Sequence, residues 1–115
     1  MALAVALGAF GAHGLRGRLD AYSMGVYERA VFYHFIHAVG LVLTPLFVQA
    51  GALTKASGSR VGTLLVAGIA LFSGSLYALA ISGVQVLGAI TPFGGLAFIA
   101  AWLLLAWGLF RDGRE

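Results

Sequence analysis

The 115-residue chain contains no cysteine, and only 10% of its residues are charged. The absence of cysteine excludes disulfide bonds, thiolate metal sites and cysteine nucleophiles. Average soluble proteins carry about 25% charged residues, so this chain has too little charge for a soluble surface. It also lacks a basic stripe with interleaved aromatic residues, which argues against a nucleic-acid partner. The small net charge of +3 is better matched to contact with anionic lipid headgroups.

Long apolar runs fill most of the chain. Ala30–Gln49, Val61–Ile81 and Phe93–Phe110 contain no Asp, Glu, Lys or Arg. About 20 apolar helical residues cross a bilayer core, and these runs do not alternate polar with apolar residues as barrel strands do. The sequence therefore predicts an all-α protein whose partner is the lipid bilayer, a single domain built as a helical transmembrane bundle of four helices.

The predicted helices cover residues 2–13, 27–49, 61–81 and 92–110. The first is too short to cross a bilayer, and it lacks the basic start of a signal peptide. It is expected to be a truncated span, because either the chain begins inside the membrane or residues upstream of Met1 are absent. Residues 14–29 have two open readings, an interfacial helix or a loop that feeds an early start of the second helix. Residues 51–60 are expected to form a loop.

The two prolines predict local helix geometry. Pro45 lies inside the second helix, where it removes a donor and frees the carbonyl of Leu41, so a kink is expected. The hydroxyl of Thr44 is a candidate to satisfy part of that backbone. Thr91 and Pro92 are typical of an N-cap followed by a proline in the first turn, which predicts the start of the fourth helix.

Small residues are expected to form the contacts between helices. In lipid, they let helix backbones approach closely, and this is a main source of packing energy. The candidate packing residues are Gly8, Gly11, Gly74, Gly94 and Gly95. The leading hypothesis is therefore a non-enzymatic accessory or assembly protein, either a homo-oligomer or a subunit of a larger membrane complex, without a cofactor.

Polar residues within the apolar runs are expected to meet on one side of the membrane. His34 and His37 share a face of the second helix, and His13 is expected to reach the same side. The candidate ligand or partner face comprises His13, Glu28, Tyr33, His34, His37, Tyr77 and Thr91. Ionisable groups inside a span are costly and suggest function.

Three interpretations of this face stay open. The first is a hydrogen-bonded network that joins the helices, with the histidine tautomers fixed by their partners. The second is a binding site for a lipid-soluble ligand such as a quinone, or for a metal, whose ligands would then be His13, His34 and His37. The third is a proton relay.

Catalysis has little support in the sequence. There is no Ser-His-acid order, no phosphate-binding loop and no pair of carboxylates. Glu28 is the one acid near the histidines, and Arg29 beside it is available to neutralise it. A small multidrug exporter would need an acid within the membrane, and none lies in the three apolar runs. The chain is therefore expected not to be an enzyme.

The basic residues give a weak orientation signal. Four helices place Lys55, Arg60, Arg111 and Arg114 on one side of the membrane, and Arg16, Arg18 and Arg29 on the other. Cytoplasmic loops carry an excess of Lys and Arg. Both termini are therefore expected in the cytoplasm.

Four ordered motifs resemble those of a known family. They are LGAFGAHGL at residues 7–15, YERA at 27–30 with Tyr33, His34 and His37 after it, GSLYA at 74–78, and GAITPFGG at 88–95. On these motifs the chain resembles the YgdD/YwdK-like family of small bacterial inner-membrane proteins, a domain of unknown function with small eukaryotic transmembrane relatives. The resemblance implies a four-helix membrane protein, no established activity, and a longer start in most members that completes the first helix.

Overall fold

The computed structural model describes residues Met1–Arg114, which form helices and, within that range, no strand. The helices are α1 (Ala2–Phe10), α2 (Ala21–Gln49), α3 (Lys55–Gly68), α4 (Gly74–Ser82) and α5 (Thr91–Asp112). A π-helical turn, Gly11–Leu15, extends α1, and a second π turn, Ile69–Ser73, joins α3 to α4 as one continuous helix, which we call α3–α4. A short 3-10 turn, Gln85–Ala89, precedes α5. The predicted bundle of four helices is thus confirmed.

Three of these helices are long and apolar enough to cross a membrane. They cover Ala21–Gln49, Lys55–Ser82 and Gln85–Asp112. The first helix, Ala2–Leu15, is apolar but shorter than the about 20 residues that a full crossing takes. The prediction of three full spans preceded by a shorter helix agrees with the structure.

Helix α2 begins at Ala21, well before the predicted start at Tyr27. The carboxylate of Asp20 accepts a hydrogen bond from the backbone N–H of Ser23 at 2.7 Å, as an N-cap does. This hydrogen bond lowers the pKa of Asp20, so the cap is charged at neutral pH and is lost only as the pH falls through that lowered value. Of the two readings of residues 14–29, the structure has the early helix start.

Helix α3 begins at Lys55, where the sequence predicts a loop. Thr54 is the N-cap, and its hydroxyl oxygen accepts a hydrogen bond from the N–H of Ser57 at 3.2 Å. At the end of α5, one carboxylate oxygen of Asp112 accepts hydrogen bonds from the Thr54 N–H and the Ser57 hydroxyl, both at 3.0 Å. Arg111 pairs with the other oxygen at 2.8 Å. We call these four residues, Thr54, Ser57, Arg111 and Asp112, the α3–α5 latch.

The candidate packing glycines differ in how closely they are packed. A Cβ on Gly11 or Gly94 would come within 3.0 Å of a neighbour, which real Cβ atoms almost never do. Gly8 and Gly95 have ordinary contacts, with nearest neighbours at 3.4 and 3.8 Å. Gly74 meets only a backbone oxygen of its own π turn, at 3.8 Å. Of the five candidates, Gly11 and Gly94 therefore lie at close helix contacts, and Gly58, Gly68 and Gly108, which were not among the candidates, are packed as closely.

Two hydroxyl groups make contacts that differ from the predictions. Thr44 donates to the carbonyl of Gly40 at 2.7 Å and not to that of Leu41, while α2 continues through Pro45. Thr91 lies inside α5 and does not cap it; its hydroxyl lies 2.6 Å from that of Ser75. Both hydroxyls bond within the bundle, because the apolar surroundings offer few alternative partners.

Candidate functional site

An apolar cavity of about 410 Å³ lies between α1, α2 and α3–α4. Its size is within the range of small-molecule sites, which is about 300 to 1,000 Å³. We call it the His34 cavity. It is lined by Leu3, Leu7, His34, Leu41, Val66, Ile69, Ala70, Gly74 and Tyr77.

Two further cavities, of about 510 and 350 Å³, follow along the seam between α2 and α3. Leu41 lines all three cavities, Val66 is shared by the first two, and Gly62 by the last two. The three are therefore one continuous groove from Tyr77 to Lys55. At 1.5 Å of rise per residue, that stretch of helix measures about 30 Å, which matches the hydrocarbon core of a bilayer.

His34 places a polar group in this apolar groove. Its side chain is 6% exposed, and its Nδ1 lies 3.0 Å from the hydroxyl oxygen of Tyr77. The other ring nitrogen, Nε2, has no hydrogen-bond partner among residues 1–114. In the same range, no fully buried side-chain nitrogen or oxygen lacks a partner, so Nε2 keeps some accessible surface, in a side chain that lines the cavity.

The imidazole and the phenol can share their hydrogen bond in two ways. If the Tyr77 hydroxyl donates to Nδ1, the Nε2–H of His34 is a free donor and the phenol oxygen a free acceptor. If Nδ1–H donates to the phenol oxygen, Nε2 is a free acceptor and the hydroxyl proton a free donor. In both arrangements the His34–Tyr77 pair presents one donor and one acceptor.

Contacts among three helices hold this pair in place. The ring of Tyr27 packs against that of Tyr77 with centroids 5.1 Å apart. The Tyr27 hydroxyl donates to the carbonyl of Leu7 at 2.5 Å, which ties α1 to α2. This arrangement corresponds to the interpretation of a network that joins helices, but it accounts for Nδ1 of His34 and not for Nε2.

The π turn between α3 and α4 aligns Tyr77 with His34. A π turn inserts an extra residue and rotates everything that follows it, and such turns are frequent at functional sites. Ser73, which is fully buried, fixes the turn because its hydroxyl donates to the carbonyl of Ala30 at 2.8 Å. The register of α4, and with it the direction of Tyr77, therefore depends on this turn.

His37 lies against a different helix from His34. Its Nδ1 is 2.6 Å from the carbonyl oxygen of Tyr33, and since a carbonyl only accepts, Nδ1 carries the proton. The ring stacks on Phe98 of α5 with centroids 3.4 Å apart, and Trp102 is 5.8 Å away. Tyr33 packs on Phe72 at 4.4 Å. His37 is therefore part of the interface between α2 and α5, and Tyr33 is part of the contact between α2 and the π turn.

The structure does not bring the remaining predicted residues to the cavity. His13 and Glu28 are exposed, and Thr91 bonds with Ser75. Among the described residues, no three His, Cys, Asp or Glu side chains are grouped so that they could hold a metal ion. The hypothesised ligand set of His13, His34 and His37 is therefore not assembled, because His13 stays exposed and the two others contact different helices.

The residues that form the walls of the groove are not among the site residues predicted from the sequence. Leu41, Gly62 and Val66 are apolar residues within the membrane spans. Their residue types do not distinguish a residue that lines a groove from one that faces lipid. The one available signal is a four-residue spacing of small residues, from Gly58 to Gly62 and from Ala70 to Gly74. This spacing is typical of helix surfaces that allow a close approach.

Comparisons with known proteins agree with the motif resemblance. A family model described as "Protein of unknown function (DUF423)" matches residues 7–95. The UPF0382 membrane protein YwdK of Bacillus subtilis is 49% identical over 107 residues, 90% of this chain and 83% of the relative. A UPF0382 membrane protein of Staphylococcus haemolyticus is 47% identical over 109 residues, 95% of this chain and 87% of the relative. No solved structure matches the chain significantly.

Proposed function

We propose that this chain, which belongs to the DUF423 family, is a non-enzymatic membrane protein that binds a lipid-soluble ligand in the His34 cavity. The observation that carries the proposal is the imidazole of His34, which is more than nine-tenths buried and keeps one nitrogen without a partner in an apolar cavity. No resident cofactor or metal is needed for this role.

The energetic cost of His34 supports the proposal. A polar group that is buried in an apolar medium without a hydrogen bond costs about 1 to 3 kcal/mol on mutational evidence. A leucine at the same position would avoid that cost, and a network serving only to join helices would need only Nδ1. A ligand that bonds to Nε2 supplies the missing partner and offsets the cost.

The proposal includes a location and an orientation. The named relatives are bacterial membrane proteins, and three helices of this chain are long enough to cross a membrane. We place it in the inner membrane with both termini in the cytoplasm. The slight excess of Lys and Arg on the side of the α3–α5 latch supports this orientation.

A second candidate function is the accessory or assembly role, with a second copy or another subunit as the partner. It is favoured by Gly62, which has no atom of the described chain within 4 Å of its expected Cβ position. Together with Gly74, it leaves the α3–α4 helix open to a close approach. A partner helix and a small ligand would compete for the same groove, so the identity of the occupant separates the two functions.

Replacing His34 with phenylalanine is expected to abolish retention of the ligand. The loss of one hydrogen bond between uncharged groups is expected to weaken ligand binding by roughly tenfold to hundredfold. Phenylalanine keeps a ring of similar size and is well tolerated in lipid. His13→Phe is the matched control, because His13 is exposed and lies outside the cavity. The measurement is native mass spectrometry of protein extracted gently from its own membrane, where the wild type and His13→Phe are expected to carry a stoichiometric small mass.

Two outcomes would contradict the binding role. One is a wild-type protein without any bound small molecule, and the other is a bound molecule that His34→Phe retains in full. An added mass equal to a polypeptide that Gly74→Leu removes would instead establish the assembly role.

A further inference from the structure

We infer, resting on the proposed function, that the ligand is a neutral lipid with a carbonyl or hydroxyl head at His34 and Tyr77, and that its tail lies along the seam between α2 and α3 toward Lys55. The site accepts both the carbonyl form and the hydroxyl form of the same head.

The absence of charge in the cavity lining selects a neutral head. None of the nine residues that line the His34 cavity is Asp, Glu, Lys or Arg. A phosphate or ammonium group there would be an unpaired charge in a low-dielectric site, which costs far more than a single hydrogen bond returns. A carbonyl or hydroxyl group needs only the donor and acceptor that the His34–Tyr77 pair presents.

The reversible hydrogen bond between His34 and Tyr77 allows both forms of the head. A ligand carbonyl only accepts, and the arrangement with a free Nε2–H supplies its donor. A ligand hydroxyl can donate to Nε2 when the shared proton lies on Nδ1. The two arrangements differ only in which nitrogen of His34 carries the proton and in the direction of the Tyr77 hydroxyl. A quinone and its hydroquinone therefore fit equally, as do a long-chain ketone and an alcohol.

The shape of the groove sets the direction of the tail. From the His34 cavity, the open path runs past Leu41 and Val66 to Gly62, where no described atom lies within 4 Å of the expected Cβ position. The hydroxyl of Thr44 lies farther along this path and is already bonded to the carbonyl of Gly40. A tail therefore meets mostly apolar walls, the satisfied hydroxyls of Thr44 and Thr63, and the hydroxyl of Ser59 toward the Lys55 end.

A ligand could also lie in the groove in the opposite direction, with its head at the far end, and the experiment must distinguish the two directions. Lys55 and Gln49 line the far end of the groove. A fatty acid could place its carboxylate at Lys55 and its tail toward His34. We favour the neutral head because Lys55 is exposed and is hydrated without a ligand, whereas His34 is 6% exposed and its Nε2 has no partner among the described residues.

The test measures equilibrium binding of four probes to the purified full-length protein in lipid nanodiscs. The probes are a decyl-substituted benzoquinone, its hydroquinone, decanol and decanoic acid. The quinone and the hydroquinone are expected to bind with dissociation constants within about threefold of each other, and decanoic acid at least about tenfold more weakly. His34→Phe is expected to remove this binding, whereas Lys55→Gln leaves it unchanged.

Binding of decanol distinguishes two kinds of ligand with the same hydroxyl head, an aliphatic alcohol and a hydroquinone ring. Decanol that binds as tightly as the hydroquinone supports an aliphatic alcohol as the natural ligand, and weaker binding of decanol supports a ring. A benzoquinone with a diazirine at the end of its decyl tail locates the tail. Photolabelling is expected on α3 between Ser59 and Val66, and Gly62→Leu, which fills open space, is expected to move the label elsewhere.

Several results would overturn the inference and leave the proposed function intact. These are a preference of at least tenfold for the quinone over the hydroquinone or the reverse, tightest binding by decanoic acid with loss in Lys55→Gln, and a tail label on Leu3 or Leu7. By contrast, failure of all four probes to bind the wild type, or binding that is indifferent to His34→Phe, would overturn the proposed function itself.

Discussion

Replacement of Gly94 by alanine is expected to destabilise the bundle by about 3 kcal/mol or more, the upper range for overpacking. The added methyl would lie 2.7 Å from the Cα of Phe72 and closer still to its backbone nitrogen. Backbone atoms cannot rotate away as a side chain can, so α5 would have to move off the π turn. Reversible unfolding of the purified protein in mixed micelles, titrated with sodium dodecyl sulfate, measures the loss.

Gly95→Ala is the matched control for this variant. Gly95 is the next residue on the same helix, and its added methyl would meet Phe72 at an ordinary distance of 3.8 Å. It is expected to unfold at the same detergent fraction as the wild type or slightly above it, because alanine favours a helix more than glycine does. Equal stability of Gly94→Ala and Gly95→Ala would refute the close contact between α5 and the π turn.

Replacement of Tyr27 by alanine is expected to cost about 3 to 5 kcal/mol, as for other large buried aromatic residues. Tyr27 is 1% exposed, its ring packs on Tyr77, and its hydroxyl bonds with the carbonyl of Leu7. Its removal opens a cavity and releases α1 at the same time. The same unfolding titration measures the loss, with Tyr22→Ala as the control. Tyr22 is 62% exposed and is expected to change stability by no more than about 0.5 kcal/mol.

Tyr27→Phe divides this effect between the ring and the hydroxyl. The variant keeps the packing on Tyr77 and loses only the bond with Leu7, so a loss of about 1 kcal/mol is expected. A Tyr27→Ala variant that is no less stable than Tyr22→Ala would show that α1 is held by other contacts.

Hydropathy located the helices of this chain but not their first turns. The three apolar runs correspond to α2, α3–α4 and α5, since uninterrupted apolar sequence has few alternatives in lipid. Both late predictions of a helix start fall where polar residues follow a capping side chain, Asp20 before α2 and Thr54 before α3. Hydropathy reports which segments are apolar enough to cross the lipid, whereas the starts of α2 and α3 are set by side-chain hydrogen bonds.

Of the seven residues of the candidate face, the structure brings His34 and Tyr77 together at the cavity. Spacing along α2 places His34 and His37 on one side, but it cannot assign one to Tyr77 and the other to Phe98. That division depends on the π turn at Ile69–Ser73 and on where α5 packs, and both are long-range features. Exposure of His13 depends likewise on the local turn at the end of α1.

The glycines illustrate the same limit. Gly11, Gly74 and Gly94 all suggest close packing from the sequence, because each lacks a side chain. In the structure, Gly11 packs against the ring of Tyr27 and Gly94 against the backbone of Phe72, while Gly74 lines the His34 cavity. Residue type indicates that space is available, and only the arrangement of the neighbouring helices decides whether the chain itself occupies that space.

The α3–α5 latch also bears on how the chain is made. Its partners, Thr54 and Asp112, are 58 positions apart. A ribosome delivers α3 to the membrane before α5 has been synthesised, so during that interval the backbone N–H of Thr54 has no carboxylate to meet. Helix α5 therefore completes the start of a helix that is made before it. In biogenesis, this polar contact at the membrane surface forms only after the apolar segments that precede α5 are already in the lipid.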